Sequence, residues 1–239
     1  LKASGSIGHS EVYKVGYPKM DPYFIDGNYD RTEILSSLGL DPDKPTVLFA
    51  PTYKPTCLYD LKDSIFKETV KYNLIIKLHH YAWLGKYASH SQHKIFEDRI
   101  EQYPHAIIIP KDHYNILPLL YVADTLISEA SGAITEFLAT GKTGIIYNLD
   151  QESLKHSDGE TLLNFDNREY LKDSFVHINN TDKLMDGLEK ALYPTAEMKK
   201  AQKVDQDKIF HRLDGQASER TKARIELLLA ENRDPLTNG

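Results

Sequence analysis

The chain has 239 residues, 41% hydrophobic and 27% charged, the ordinary balance of a globular protein with a core. Its formal net charge of −6 disfavours a general nucleic-acid binder, which needs a basic stripe. Its apolar runs are strand-sized, too short to cross a membrane, and the single cysteine, Cys57, excludes an intramolecular disulfide and fits a reducing compartment.

The first five residues carry neither an initiator Met nor a signal-peptide core, so a piece of a longer protein is expected. Residues 11–15 read as a short strand ended by Gly16-Tyr17-Pro18, and 31–38 as a helix stopped by Gly39 and Pro42. Residues 46–50 form a buried strand between Pro45 and Pro51. Leu61, Ile65, Phe66 and Val70 recur at helical spacing, which predicts one helix over 61–71. Strands come next at 74–78, 106–109, 125–128 and 144–148, separated by helices at 92–102, 116–122 and 133–139. The stretch 151–173 is too polar to assign; beyond it come a strand at 175–178 and helices at 183–192, 196–203 and 216–231. Strands alternating with helices imply βαβ units, and runs such as Val47-Leu48-Phe49-Ala50 are apolar on successive residues, as strands covered on both faces should be. The expected fold is α/β, a doubly wound, Rossmann-like parallel sheet in one domain over 1–239.

Ligands of such sheets bind beyond the carboxyl ends of the strands, so the residues just after each strand matter most. Pro51-Thr52-Tyr53-Lys54 succeeds one; His79-His80 succeeds another, with Lys77 inside it; Lys111-Asp112-His113 succeeds a third. The sharpest is Ser128-Glu129-Ala130-Ser131-Gly132, at a strand-to-helix junction. Small residues at a helix start let backbone N–H groups approach an anion, and the helix dipole favours negative charge there. Ser131 and Gly132 are therefore candidate phosphate ligands, and Ser131 is also a candidate N-cap. Glu129 would repel phosphate unless it turns aside, for instance toward a sugar or glycerol hydroxyl, and Glu136 reads as a partner of the helix dipole. One of His79 and His80 offers acid/base chemistry or a cation opposite a diphosphate, the other reading being two surface histidines. His90 and His93 lack a Cys or carboxylate pattern for zinc, and no metal or cofactor is implied. Walker A, Gly-x-Gly-x-x-Gly and Gly-x-Ser-x-Gly motifs are all missing, against ATPase, dehydrogenase and hydrolase readings.

Five segments in order carry a resemblance. They are Gly16-Tyr17-Pro18-Lys19-Met20-Asp21, Leu48-Phe49-Ala50-Pro51-Thr52-Tyr53, Ile76-Lys77-Leu78-His79, the run from Ala123 to Gly132, and Asp214-Gly215-Gln216-Ala217-Ser218-Glu219-Arg220. Together they resemble the CDP-glycerol glycerophosphotransferase family, the bacterial teichoic-acid and capsule polymerases and primases. The resemblance implies the C-terminal, donor-binding half of a two-domain GT-B enzyme that moves glycerol phosphate, or a related alditol phosphate, from a CDP-linked donor to a polymer. By it, His79 is catalytic at the donor phosphates, Ser131, Gly132 and Ala133 bind phosphate, and Asp214, Ser218 and Arg220 finish the donor site beside Lys77 and Glu129. Lys19 and Asp21 match the segment that leaves the interdomain region. It also implies a lipid-linked polymer acceptor, met through an N-terminal domain outside this chain, and a cytoplasmic enzyme peripheral to the inner membrane face. The chain departs from the family's usual pattern with His79-His80 in place of His-Pro, and around Glu129 and Gly132. Alternatives are a GT-B nucleotide-sugar glycosyltransferase, a UDP-GlcNAc 2-epimerase-like enzyme, or a non-catalytic domain that binds a sugar or polymer.

Overall fold

The computed structural model describes residues 12–84, 92–129, 131–149, 169 and 171–231. In chain order these form a 3-10 helix (Pro18–Phe24), α1 (Arg31–Ser37), β1 (Thr46–Phe49), α2 (Leu58–Leu61), α3 (Ser64–Glu68), β2 (Asn73–Ile76), α4 (His80–Leu84) and α5 (Lys94–Ile100). Then come β3 (Ala106–Ile108), α6 (Leu117–Val122), β4 (Thr125–Ser128), α7 (Gly132–Ala139), β5 (Ile145–Tyr147), β6 (Val176–Ile178), α8 (Leu184–Leu192), α9 (Ala196–Ile209) and α10 (Ala217–Glu231). The six strands make one sheet in the order β3-β2-β1-β4-β5-β6, and every pairing is parallel.

Every residue of β1, β2 and β4 is buried, as a sheet covered on both faces requires. Alternation along each strand divides the core in two. Val47, Phe49, Leu74, Ile76, Ile127 and Ile145 meet Leu58, Leu61 and Phe66 of α2 and α3, Phe96 of α5 and Leu188 of α8. Leu48, Ala50, Ile75, Leu126 and Ile146 point the other way, onto Met20, Leu35 of α1, Leu120 of α6 and Phe137 of α7. The two helices that matter most for the site, α2 after β1 and α7 after β4, thus lie on opposite faces.

The strands of the sheet fall within one or two residues of their predicted spans, and the differences elsewhere have physical causes. The predicted strand at 11–15 is irregular over its described residues: the Val15 carbonyl accepts from Arg220 Nε at 2.8 Å, not from a neighbouring strand. The predicted helix at 61–71 is two short helices that end before Thr69, whose hydroxyl bonds back to the Ile65 carbonyl, and Val70 is 56% exposed instead of facing the core. α9 runs on past residue 203 to Ile209 because its inward positions are glutamines: Gln202 donates to the Lys142 carbonyl and Gln206 to that of Leu138, at the end of α7. The 3-10 helix and α4 had no apolar period to announce them. Most of 151–173 lies outside the described residues.

Gly144, just before β5, is needed for its size. A Cβ there would sit 2.6 Å from the ring of Phe175, itself buried, and 3.1 Å from the Leu126 carbonyl. Gly144→Ala is expected to destabilise the fold by about 1–3 kcal/mol in urea unfolding, the usual cost of overpacking a core.

Candidate functional site

β1 and β4 are neighbours, paired Val47 to Thr125 and Phe49 to Ile127, while their following helices leave to opposite faces. A crevice opens at such a switch point, beyond the carboxyl ends of the strands. Its floor is tied by Ser128, whose buried hydroxyl donates to the Ala50 carbonyl at 2.7 Å and lies 2.8 Å from the Ser131 hydroxyl.

Ser131 occupies the N-cap position of α7 with extended backbone, yet its hydroxyl is engaged with Ser128 and makes no cap bond. The first turn therefore has no side-chain cap among the described residues. Gly132 is exposed, and a Cβ placed on it would meet nothing within 4 Å. The space beside the helix start at Gly132 is open. Sequence spacing alone could not separate this from a routine serine cap.

Lys77, Leu78 and His79 continue β2 on the far side of β1, and Lys77 N–H donates to the Phe49 carbonyl at 2.9 Å. The His79 ring packs against Tyr53, from the segment after β1, with centroids 4.6 Å apart, and against Tyr81 of α4 at 5.2 Å. Its Nδ1 accepts from the Tyr81 N–H at 3.2 Å, so the neutral ring carries its proton on Nε2. Desolvation first, then the neighbouring charges of His80 and Lys77, hold its pKa below the ordinary histidine value. Burial likewise lowers that of Lys77.

Glu129, expected toward the donor, makes its described contacts with the protein. It is 1% exposed, and its carboxylate turns under the segment after β1: Oε1 accepts from Thr52 N–H (2.9 Å), the Thr52 hydroxyl (3.0 Å) and Cys57 N–H (3.2 Å), while Oε2 lies 3.2 Å from Cys57 Sγ. Desolvation without a cation raises its pKa despite these donors. Glu136 is also more than a dipole partner; it is buried and holds the ammonium of Lys19 and the Tyr17 hydroxyl.

Asp214, Ser218 and Arg220 gather at the start of α10, where their polar atoms mostly serve one another. Arg220 grips Asp214 with two bonds, at 2.8 and 2.9 Å, and gives Nε to Val15, which leaves two of its five N–H donors. Asp21 accepts from the N–H groups of Ala217 (3.0 Å) and Ser218 (2.6 Å), capping α10 from a distance in sequence that no local signal reveals. Gly16 passes so close to this clasp, with φ +102°, that a Cβ would lie 2.8 Å from that of Ala217. The clasp reaches α7 through the neighbouring Lys19, which bonds Glu136, and not through Ser131.

The model of the family described as CDP-glycerol:poly(glycerophosphate) glycerophosphotransferase matches residues 3–227. The chain belongs to this family. Among solved structures, the wall teichoic acid polymerase TagF superposes with a TM-score of 0.64 at 18% identity, over 92% of this chain and 53% of that one. A TagF variant soaked with CDPG gives 0.63 at 20%, over 93% and 52%. S. aureus MnaA, in a co-structure with UDP, gives 0.56 at 16%, over 96% and 57%. None of the curated proteins matches the sequence. The glycerophosphotransferase-family chain thus spans about half the length of these neighbours, and its sheet is one Rossmann-like half of a GT-B fold. Among the described residues no helix is long and apolar enough to cross a membrane, and no cluster of His, Cys, Asp or Glu could hold a metal ion.

The Asp21 cap has a signed pH dependence. Burial alone would raise its pKa, but the hydroxyl and amide of Ser218, the amide of Ala217 and the charge of Arg220 outweigh it and hold the pKa below the ordinary carboxylate value. Its stabilisation is present above that ordinary value and lost as pH falls through the lowered one. Asp21→Ala is expected to cost about 1–2 kcal/mol at neutral pH, as lost caps do, with the difference from wild type shrinking in acid; chemical unfolding across pH measures both.

Proposed function

We propose that this chain supplies the donor site of a glycerophosphotransferase, holding a CDP-linked glycerol phosphate or related alditol phosphate that is passed to a cell-wall or capsule polymer with release of CMP. The observation that carries this reading is the uncapped, open first turn of α7 at the crevice between β1 and β4. Donor phosphate oxygens accept from the amides of Gly132 and Ala133, with the helix dipole behind them, and from the Ser131 hydroxyl once its single proton swings away from Ser128 Oγ. β1 alone separates β2 from β4, so the strand ends bearing His79 and Ser131 stand about 10 Å apart, two strand spacings, a gap that a diphosphate and its glycerol bridge.

In the transfer, an acceptor hydroxyl oxygen attacks the phosphorus that bears glycerol and gives up its proton to solvent, while the bond to the bridging oxygen breaks with its electron pair leaving on CMP. His79 donates from Nε2 toward the phosphoryl oxygens where that charge grows, and Lys77 adds positive potential from the same strand end. The two remaining donors of Arg220 approach the donor when it closes over the crevice. In this proposal the acceptor is a lipid-linked polymer met through an N-terminal half, and the enzyme works peripherally at the inner face of the membrane.

Calorimetric titration of the chain tests the donor: CDP and CDP-glycerol are expected to bind and Ser131→Ala to weaken them by roughly tenfold, the worth of one hydrogen bond to a charged group. Binding of UDP or a UDP-sugar without CDP would move the chain to the 2-epimerase-like or glycosyltransferase reading instead. In the full-length enzyme, His79→Ala should cut transfer on the order of 10²-fold, as loss of one oxyanion donor does, with donor affinity nearly kept; wild-type turnover would remove His79 from the mechanism.

A further inference from the structure

Glu129 is the most deeply buried carboxylate beside the crevice, and among the described residues no lysine or arginine bonds it. Its contacts are unevenly shared. Oε1 takes three donors, two of them backbone amides of the segment after β1, whereas Oε2 meets Cys57 Sγ, and the Thr56 hydroxyl also bonds the carboxylate. The single hydroxyl proton of Thr52 is shared between Oε1, 3.0 Å away, and the Pro55 carbonyl at 2.5 Å, so the turn is closed on itself as well as on β4.

Tyr53 is the next residue along. Its backbone is gripped on one side through Thr52 and on the other by the buried Gln92, whose amide donates to the Tyr53 carbonyl at 2.9 Å. Its ring is thereby set 4.6 Å from the ring of His79 and 5.0 Å from that of Tyr81. A contiguous path runs from the end of β4, through the segment after β1, to the histidine at the end of β2.

We propose that Glu129 is a positioning residue for His79, acting through Thr52 and the ring of Tyr53, and that it does so as a hydrogen-bond acceptor and not as a charge. The proposal rests on the reading of His79 as the group that meets the donor, but it concerns where the ring is held and can be tested without turnover. Its chemistry singles out one substitution. In Glu129→Gln the carbonyl oxygen replaces Oε1 and keeps its donors, while the amide nitrogen turns toward the cysteine sulfur and the Thr56 hydroxyl, which can rotate to accept from it. Glu129→Ala removes the acceptor altogether and strands two amides, so Tyr53 is freed and His79 loses the ring that covers it. A Glu129 that bound donor through its charge would behave differently, since glutamine would then fail as badly as alanine.

The experiment tracks the ring titration of His79 in the full chain by NMR with ¹³C-labelled histidine. The groups facing that ring are Tyr53, Tyr81, Lys77 and His80, none of them altered by the substitutions at 129. Glu129→Gln is expected to keep the wild-type midpoint, and Glu129→Ala to raise it toward the ordinary histidine value of about 6.5. His105, which sits on Thr69 at the opposite end of the sheet, should not move in either. Should Glu129→Ala fail to fold, Thr52→Val carries the test: it deletes one donor to Oε1 and should shift His79 in the same direction by less. A folded Glu129→Ala or Thr52→Val protein with an unmoved His79 overturns the relay. A Glu129→Gln protein displaced as far as the alanine variant overturns the acceptor role in favour of charge.

Discussion

β1 and β4 lie side by side in parallel register, yet the helices that succeed them turn to opposite faces of the sheet. A chain cannot fill the space it leaves by diverging in this way, and the ends of two strands stay open there to an external group. Every candidate residue that faces the crevice is set by its distance from this point. Ser131, Gly132 and Ala133 begin α7 on one side, Tyr53 extends from β1, and His79 completes β2 one strand further along. The same geometry explains why the crevice is polar while the strands feeding it are buried throughout.

Electrostatics then sorts the polar residues into those that face outward and those spent within the protein. A desolvated carboxylate needs donors, and Glu129 finds them in the segment after β1, so an acidic residue lies beside a candidate anion site without opposing it. The opposite ends of the chain are joined by the same logic. Asp21 caps α10, Arg220 takes both the carboxylate of Asp214 and the Val15 carbonyl, and Lys19 closes on Glu136. What remains exposed at the crevice is His79 and Gly132, with Lys77 half-buried beside them, and each brings a donor. That is the polarity a phosphate requires.

The alternation of apolar runs with amphipathic segments made the α/β sheet legible, because strands buried on both faces cannot avoid runs such as those of β1 and β4. The ends of β2 and β4 were legible as candidate sites for the same reason: position after a strand is a local property. What the residues could not disclose was partnership at long range. Glu129 was read toward the donor from its place beside Ser131, and its bonds across the sheet to Thr52 and Cys57 leave no trace in the local sequence. Asp214, Ser218 and Arg220 formed a recognisable motif whose internal pairing depends on Asp21 and Val15, at the far end of the chain. Val70 fitted a helical stripe that Thr69 interrupts by bonding backward to Ile65.

Whether the start of α7 is where the donor phosphate sits is read most directly by backbone amide NMR of the chain titrated with CDP. The largest saturable shifts are expected on the amides of Gly132 and Ala133, with a smaller response at Tyr81, whose amide donates to His79. Saturable binding that leaves those two amides unmoved, and shifts the start of α10 or another surface instead, would contradict this placement of the donor.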